Sequence, residues 1–76
     1  MEIIKIIHTL PWYKKMKILR ILRSWSQVEA AENCCTNSKA YWLWESGKTY
    51  PRKSSQKAIA MAFGVPLNEI FEFKDI

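Results

Sequence analysis

Few side chains in this sequence could carry covalent chemistry. The single histidine, His8, has no second ligand residue near it, and the two cysteines, Cys34 and Cys35, are adjacent. Neighbouring cysteines do not have a metal-ligand spacing, and a disulfide between them would strain the backbone, so two reduced, buried thiols are expected. There is no serine–base pair, no carboxylate pair at useful spacing and no glycine-rich phosphate loop. Catalytic residues, a metal and a cofactor are therefore not expected, and no small-molecule ligand is evident. What the chain does carry is positive charge, with 12 Lys and Arg against 7 Asp and Glu, a net charge of +5 and a pI near 9.4. That balance favours a polyanionic partner, either nucleic acid or an acidic membrane surface, although a basic excess is also common in proteins that bind neither. The densest basic stretch is Lys48 to Lys53, KTYPRK, a loop with a central proline.

The elements that hold this loop follow from turn and cap signals. At 76 residues, 49% of them apolar, the chain is expected to form one domain on its own core, near the lower size limit for doing so. Residues 1–13 read as an apolar extension. The β-branched density of Ile3, Ile4, Ile6 and Ile7 favours a strand, while Ile3, Ile6, Ile7 and Leu10 also fit one helical face. A first helix is predicted over Lys14–Ser24. It is apolar on more than one side and so needs cover on more than one side. Ser26-Gln27-Val28-Glu29 is a capping box and starts a second helix that runs to about Asn33. Cys34–Thr36 make a turn. Asn37 or Ser38 caps a third helix, which ends before Gly47. A fourth is predicted over Ser54–Phe63, with Ala58, Ile59, Ala62 and Phe63 inward and Gly64 as C-cap. Pro66 opens a short fifth, Leu67 to about Phe71. The tail, FEFKDI, alternates apolar and charged residues as a short strand would. No apolar run approaches the roughly 20 residues of a membrane span, and the N-terminus lacks the features of a signal peptide. A reducing cytoplasm is the expected location.

S-Q-x-E-x-A opening the second helix and W-E-x-G-K closing the third resemble the Cro/CI-type (XRE-like) helix-turn-helix family of phage repressors and small bacterial regulators. The resemblance runs without a gap from about Lys14 to Glu72. It passes through Arg20, Ser26-Gln27, Glu29, Ala31, Trp44-Glu45-Ser46-Gly47-Lys48, Tyr50-Pro51, Ile59-Ala60, Gly64-Val65 and Glu69-Ile70-Phe71. It implies an all-α, compact, five-helix lambda-repressor-like domain over residues 14–76. To this the residues themselves add an apolar arm at 1–13 and a short β pairing of the two ends, in which Lys5 and Glu72 have complementary charge.

Carried onto this chain, the family's recognition helix is Asn37–Glu45, with Ser38 and Lys39 facing base edges and Trp42 and Leu43 one turn further on. Gln27 and Asn37, with Lys48, Thr49, Tyr50, Arg52 and Lys53, would contact phosphates and supply affinity rather than sequence choice. Arg20 and Glu45 match a structural ion pair of the family. The sequence departs from the family at Ser24 and Cys35, which stand where glycine is frequent, so Cys35 is expected at positive φ. Tyr41 is large where Ile or Val is usual and Ala30 small where Leu is usual, an exchange of volume between the second and third helices. Trp42 and Leu43, counted with Ser38 and Lys39 as base-reading residues, are apolar where polar residues are common. They could touch thymine methyl groups, they could equally bind protein, or Trp42 could fold back over the domain and leave only Leu43 exposed.

Two functions fit. The first is sequence-specific binding of double-stranded DNA as a small transcriptional regulator, a repressor by preference, acting as a homodimer through its N-terminal isoleucines. The second is a protein-interaction module, antitoxin-like or phage accessory, that uses Trp42 and Leu43. A membrane role has little support, because residues 1–13 contain Lys5 as their firm cation.

Overall fold

Four helix ends built alike shape this fold, a computed structural model in which residues 9–71 are described. The helices are α1 (Trp12–Leu22), α2 (Gln27–Asn33), α3 (Ser38–Glu45) and α4 (Lys53–Phe63), followed by a three-residue 3-10 turn at Leu67–Glu69. Each α-helix is closed by a residue in the left-handed region: Ser24 and Cys35 at φ 59°, Gly47 at 79° and Gly64 at 68°. Around each, the next two amides turn back to the last carbonyls. After α2 these are Cys35 N–H to Glu32 O and Thr36 N–H to Ala31 O, and after α3 they are Gly47 N–H to Trp44 O and Lys48 N–H to Leu43 O. This Schellman pairing satisfies carbonyls that a short helix would otherwise leave open, and it reverses the chain sharply. Glycine takes the conformation freely at two sites. Ser24 and Cys35 adopt it at a cost of roughly 1 kcal/mol each.

The helix starts are as local as the ends. The Ser26 hydroxyl accepts from Glu29 N–H at 3.1 Å while the Glu29 carboxylate accepts from Ser26 N–H at 2.8 Å, a reciprocal pair that sets the start of α2. Asn37 Oδ1 accepts from Ala40 N–H at 2.7 Å and starts α3. At α1 the sequence expectation of Lys14–Ser24 is shifted. The Pro11 carbonyl accepts from both Lys14 and Lys15 N–H, so the helix begins at Trp12, and the left-handed Ser24 ends it at Leu22. α4 begins one residue earlier than expected, at Lys53.

The expected fifth helix is a 3-10 turn, so the described residues contain four α-helices rather than five. After Pro66 the chain closes a single turn, with Ile70 N–H and Phe71 N–H both donating to Leu67 O, and stops. No strand occurs among the described residues, and the β pairing of Lys5 with Glu72 lies outside them.

One apolar cluster joins every element. Met16 comes from α1, Ala30 and Ala31 from α2 with Cys34 at its end, Tyr41 and Trp44 from α3, Ile59 and Phe63 from α4, and Ile70 and Phe71 from the last turn. Helices of 7 and 8 residues, the lengths of α2 and α3, are too short to be stable alone, so this burial holds them. The alanines let α2 and α3 come close, and Tyr41, fully buried beside them, takes up the volume they leave. Of the predicted inner face of α4, Ile59 and Phe63 are buried, while Ala58 and Ala62 are half-buried.

Gly47 and Gly64 should tolerate a methyl group unequally. A Cβ on Gly47 would meet the Tyr13 ring at 3.0 Å, whereas on Gly64 it would meet Arg23 Nη2 at 2.9 Å. That nitrogen is the far end of a flexible side chain, which can move at the expense of its hydrogen bond to the Phe63 carbonyl. Gly47→Ala is expected to lower stability in urea by about 2–3 kcal/mol and Gly64→Ala by about 1 kcal/mol. Equal losses would mean that only the positive φ matters and that the Tyr13 contact does not.

Candidate nucleic-acid interface

α3 has two faces that differ in kind. Tyr41, Trp44 and Glu45 are buried, whereas Ser38, Lys39 and Trp42 are exposed. Positions 38 and 42 are one turn apart and 39 lies beside them, so the three form one outward stripe. Leu43 is half-buried at its edge, while Trp42 retains 44% of its accessible surface. Trp42 is therefore exposed, as a base-reading or protein-binding residue must be, and the alternative in which it folds back is not what the structure has. Leu43, expected to be exposed in every reading, is half-buried. The helix turns residue 43 toward the following chain, whose Lys48 and Thr49 amides donate to the Leu43 carbonyl, and it turns residue 42 away from the core. Instead of lying on the domain, the indole carries the Lys48 Nζ over its face at 5.1 Å, a contact worth about 0.5–1 kcal/mol at an exposed site.

The buried side of α3 is fastened by charge. Arg20 Nε lies 2.7 Å from Glu45 Oε2 and Arg20 Nη2 lies 3.1 Å from Oε1, so the guanidinium grips the carboxylate with both prongs. Arg20 Nη1 also donates to the Trp25 carbonyl at 2.9 Å, and Gln27 Nε2 donates to Glu45 Oε1 at 3.1 Å. Burial by itself would raise the Glu45 pKa. The hydrogen bond from Arg20, the neighbouring Tyr41 and Gln27 side chains and the arginine charge outweigh it and hold the carboxyl below its ordinary value. The Tyr41 hydroxyl, buried next to this group, makes no hydrogen bond of good geometry. Burial, with the Glu45 charge, raises its pKa, so it stays a phenol.

Beyond α3 the chain is pinned and then turns into α4. Tyr50 sets its ring edge-on against Trp12 and Phe71, with centroids 5.1 and 5.9 Å apart. Pro51 is buried, and Gln56 Nε2 donates to its carbonyl at 2.9 Å. The basic loop is therefore fixed at its middle, with Lys48, Thr49, Tyr50, Arg52 and Lys53 all exposed. Between the starts of α3 and α4 lies an open cleft of about 500 Å³. It brings Thr49, Tyr50 and Arg52 together with Thr36, Ala40, Ser54 and Ser55 over a floor that includes Trp44.

The hydroxyls of Thr36, Ser54 and Ser55 were not singled out in the sequence. The signal for two of them was the Ser54-Ser55 pair in the first turn of a helix that follows a basic loop. Asn37 and Gln27 stand at the starts of α3 and α2, and each already has a polar atom engaged, Asn37 Oδ1 in its cap and Gln27 Nε2 on Glu45. The site thus gathers Ser38, Lys39, Trp42 and Lys48 on one stripe and Thr49, Tyr50, Arg52 and Lys53 on its flank. Both cysteines are free thiols, but of the two expected to be buried only Cys34 is, since the left-handed turn leaves Cys35 exposed. Burial, with a small contribution from Cys35, pushes the pKa of Cys34 up to about 12, so it remains protonated and inert.

No family model and no solved structure matches the chain. Over 63 residues, 83% of this chain, the sequence is 32% identical to the HTH-type transcriptional activator BcrR of Enterococcus faecalis. The aligned region is 31% of that protein, so the chain spans about a third of the relative's length. The likeness supports the helix-turn-helix class that the geometry of α2, its turn and α3 displays.

The Glu45 contacts set an acid limit on stability. Because its folded pKa lies below the unfolded value of about 4.3, its contribution is full above that pH. The contribution is lost as pH falls through the depressed folded pKa. In urea titrations across pH 2–6, Glu45→Gln should flatten this part of the profile. Glu45→Ala, which strands the Arg20 charge, should cost roughly 3 kcal/mol at pH 7. An unchanged acid limb in Glu45→Gln would remove the carboxylate from this role.

Proposed function

We propose that this chain is a Cro/CI-type helix-turn-helix regulator that binds double-stranded DNA sequence-specifically through α3. The observation that carries the reading is the two-sided construction of α3. Its inner face is fastened by Arg20 and Glu45, while Ser38, Lys39 and Trp42 stand outward next to the basic loop. A helix rigidly held on one side and free on the other suits the major groove, which admits a single helix. Lys39, exposed at the first turn, would donate to guanine O6 and N7. Ser38 can serve a base or a phosphate. Arg52 and Lys53, with the hydroxyls around the cleft, would contact the backbone and set affinity.

The role is binding rather than catalysis, in a reducing cytoplasm. A second copy completes the reader, because two half-sites one helical turn apart match a twofold protein. Ile21 and Leu22, near the end of α1, are exposed apolar residues that such a pairing could cover. Repression by occupying a promoter is the simplest consequence. The similarity to a transcriptional activator supports regulation in general, without fixing its direction.

A protein-interaction role is favoured by one observation, the 44% exposure of Trp42. Gel retardation separates the two readings, since no shift of any duplex at low salt would favour the protein partner. Binding to DNA is expected to weaken with salt, log K falling by about 0.9 for each phosphate neutralised. Arg52→Ala and Lys53→Ala should each weaken all sequences alike and flatten that slope by about 0.9. Lys39→Ala should instead relax base preference, a loss of roughly 1–3 kcal/mol at its position. Affinities of the three variants for specific and random duplexes across a salt series test this. A uniform loss for Lys39→Ala would count against its place at the bases.

A further inference from the structure

An indole that stands out of a helix needs a partner, and the neighbours of Trp42 restrict which one. The exposed residues around it on α3 are Ser38 and Lys39, with Ser46 and Lys48 after it. Lys48 places its ammonium against the ring face at 5.1 Å. No other large hydrophobic residue of α3 is comparably exposed. The core of a protein–protein contact is a contiguous apolar patch depleted of charge. This is a single ring among cations and hydroxyls. What suits it is a surface that is anionic overall yet presents an isolated apolar projection, and the major-groove edge of duplex DNA has one, the C5-methyl group of thymine. The position agrees, since Trp42 follows Ser38 and Lys39 by one turn on the same stripe and meets the base step beyond theirs.

We propose that Trp42 reads a thymine methyl group, so that the preferred duplex carries thymine opposite the second turn of α3. The proposal rests on duplex DNA being the ligand. It makes Trp42 a specificity-determining residue rather than a source of affinity for every sequence.

The test uses the full chain and a duplex recovered by selection from a random pool, in which each thymine is replaced in turn by deoxyuridine. This removes the methyl group and leaves the hydrogen-bonding edge unchanged. One thymine per half-site is expected at which the replacement weakens binding about fourfold, the worth of one buried methyl-sized group. Trp42→Ala should bind the thymine and deoxyuridine forms equally, and Trp42→Phe, which keeps an apolar ring, should retain part of the preference. Equal affinity of the unaltered chain for both forms at every thymine would overturn the proposal, as would a preference that survives in Trp42→Ala. A chain that retards no duplex even at low salt would instead overturn the regulator reading on which the proposal stands, so the two failures are told apart.

Discussion

Glu45 is a carboxylate at the last residue of α3, the negative end of the helix dipole. A buried anion there is unfavourable unless something answers it, and Arg20 does so from α1 with two hydrogen bonds. The same guanidinium holds the Trp25 carbonyl, in the segment between α1 and α2, and Gln27 at the start of α2 reaches the same carboxylate. One charge pair therefore fixes the angle of α3 relative to both preceding helices. Apolar packing alone would allow the short helix to roll or slide. Paired donors and acceptors at fixed distances do not.

The short helices depend on this clasp because their own length contributes little. They are bounded by side chains and turns instead: a capping box before α2, an asparagine before α3 and left-handed residues after all four. At Ser24 and Cys35 the chain accepts local strain where glycine would accept none. Both reversals let α1, α2 and α3 share one core, in which Met16 and Tyr41 are fully buried. The strain is small beside the burial it permits, since a buried Ile or Phe contributes roughly 1.5–3 kcal/mol.

Rigidity on one face of α3 leaves the other face free. The stripe of Ser38, Lys39 and Trp42 has no packing task, and the basic loop beside it is held at Tyr50 and Pro51 so that its charges stay in place. Chemistry is correspondingly sparse. Cys34 is a core residue with a protonated thiol.

Helix starts and stops were legible in the sequence wherever a local rule governs them. Ser26 and Glu29 define a capping box by their spacing, Asn37 and Ser38 are both good N-caps at the start of α3, and Gly47 and Gly64 end helices, while the positive φ of Cys35 was legible through the family resemblance. These interactions close within five residues, so the order of the chain suffices. Less was legible at α1, where the Pro11 carbonyl begins the helix before the first lysine, and at the last turn, where a helix signal yielded a 3-10 turn. Which of the neighbours Trp42 and Leu43 stays outside was not legible, since both were expected there. Trp42 outward over Lys48 and Leu43 half-covered were decided by how α3 rotates once Glu45 is clasped to Arg20, 25 residues earlier in the chain. The cleft likewise brings Thr36 and Ala40, around the start of α3, to Ser54 and Ser55 in α4, which lie far from them in the chain. Sequence determined the elements because their boundaries depend on near neighbours. Tertiary structure decided the working face because that depends on contacts between residues far apart in the chain.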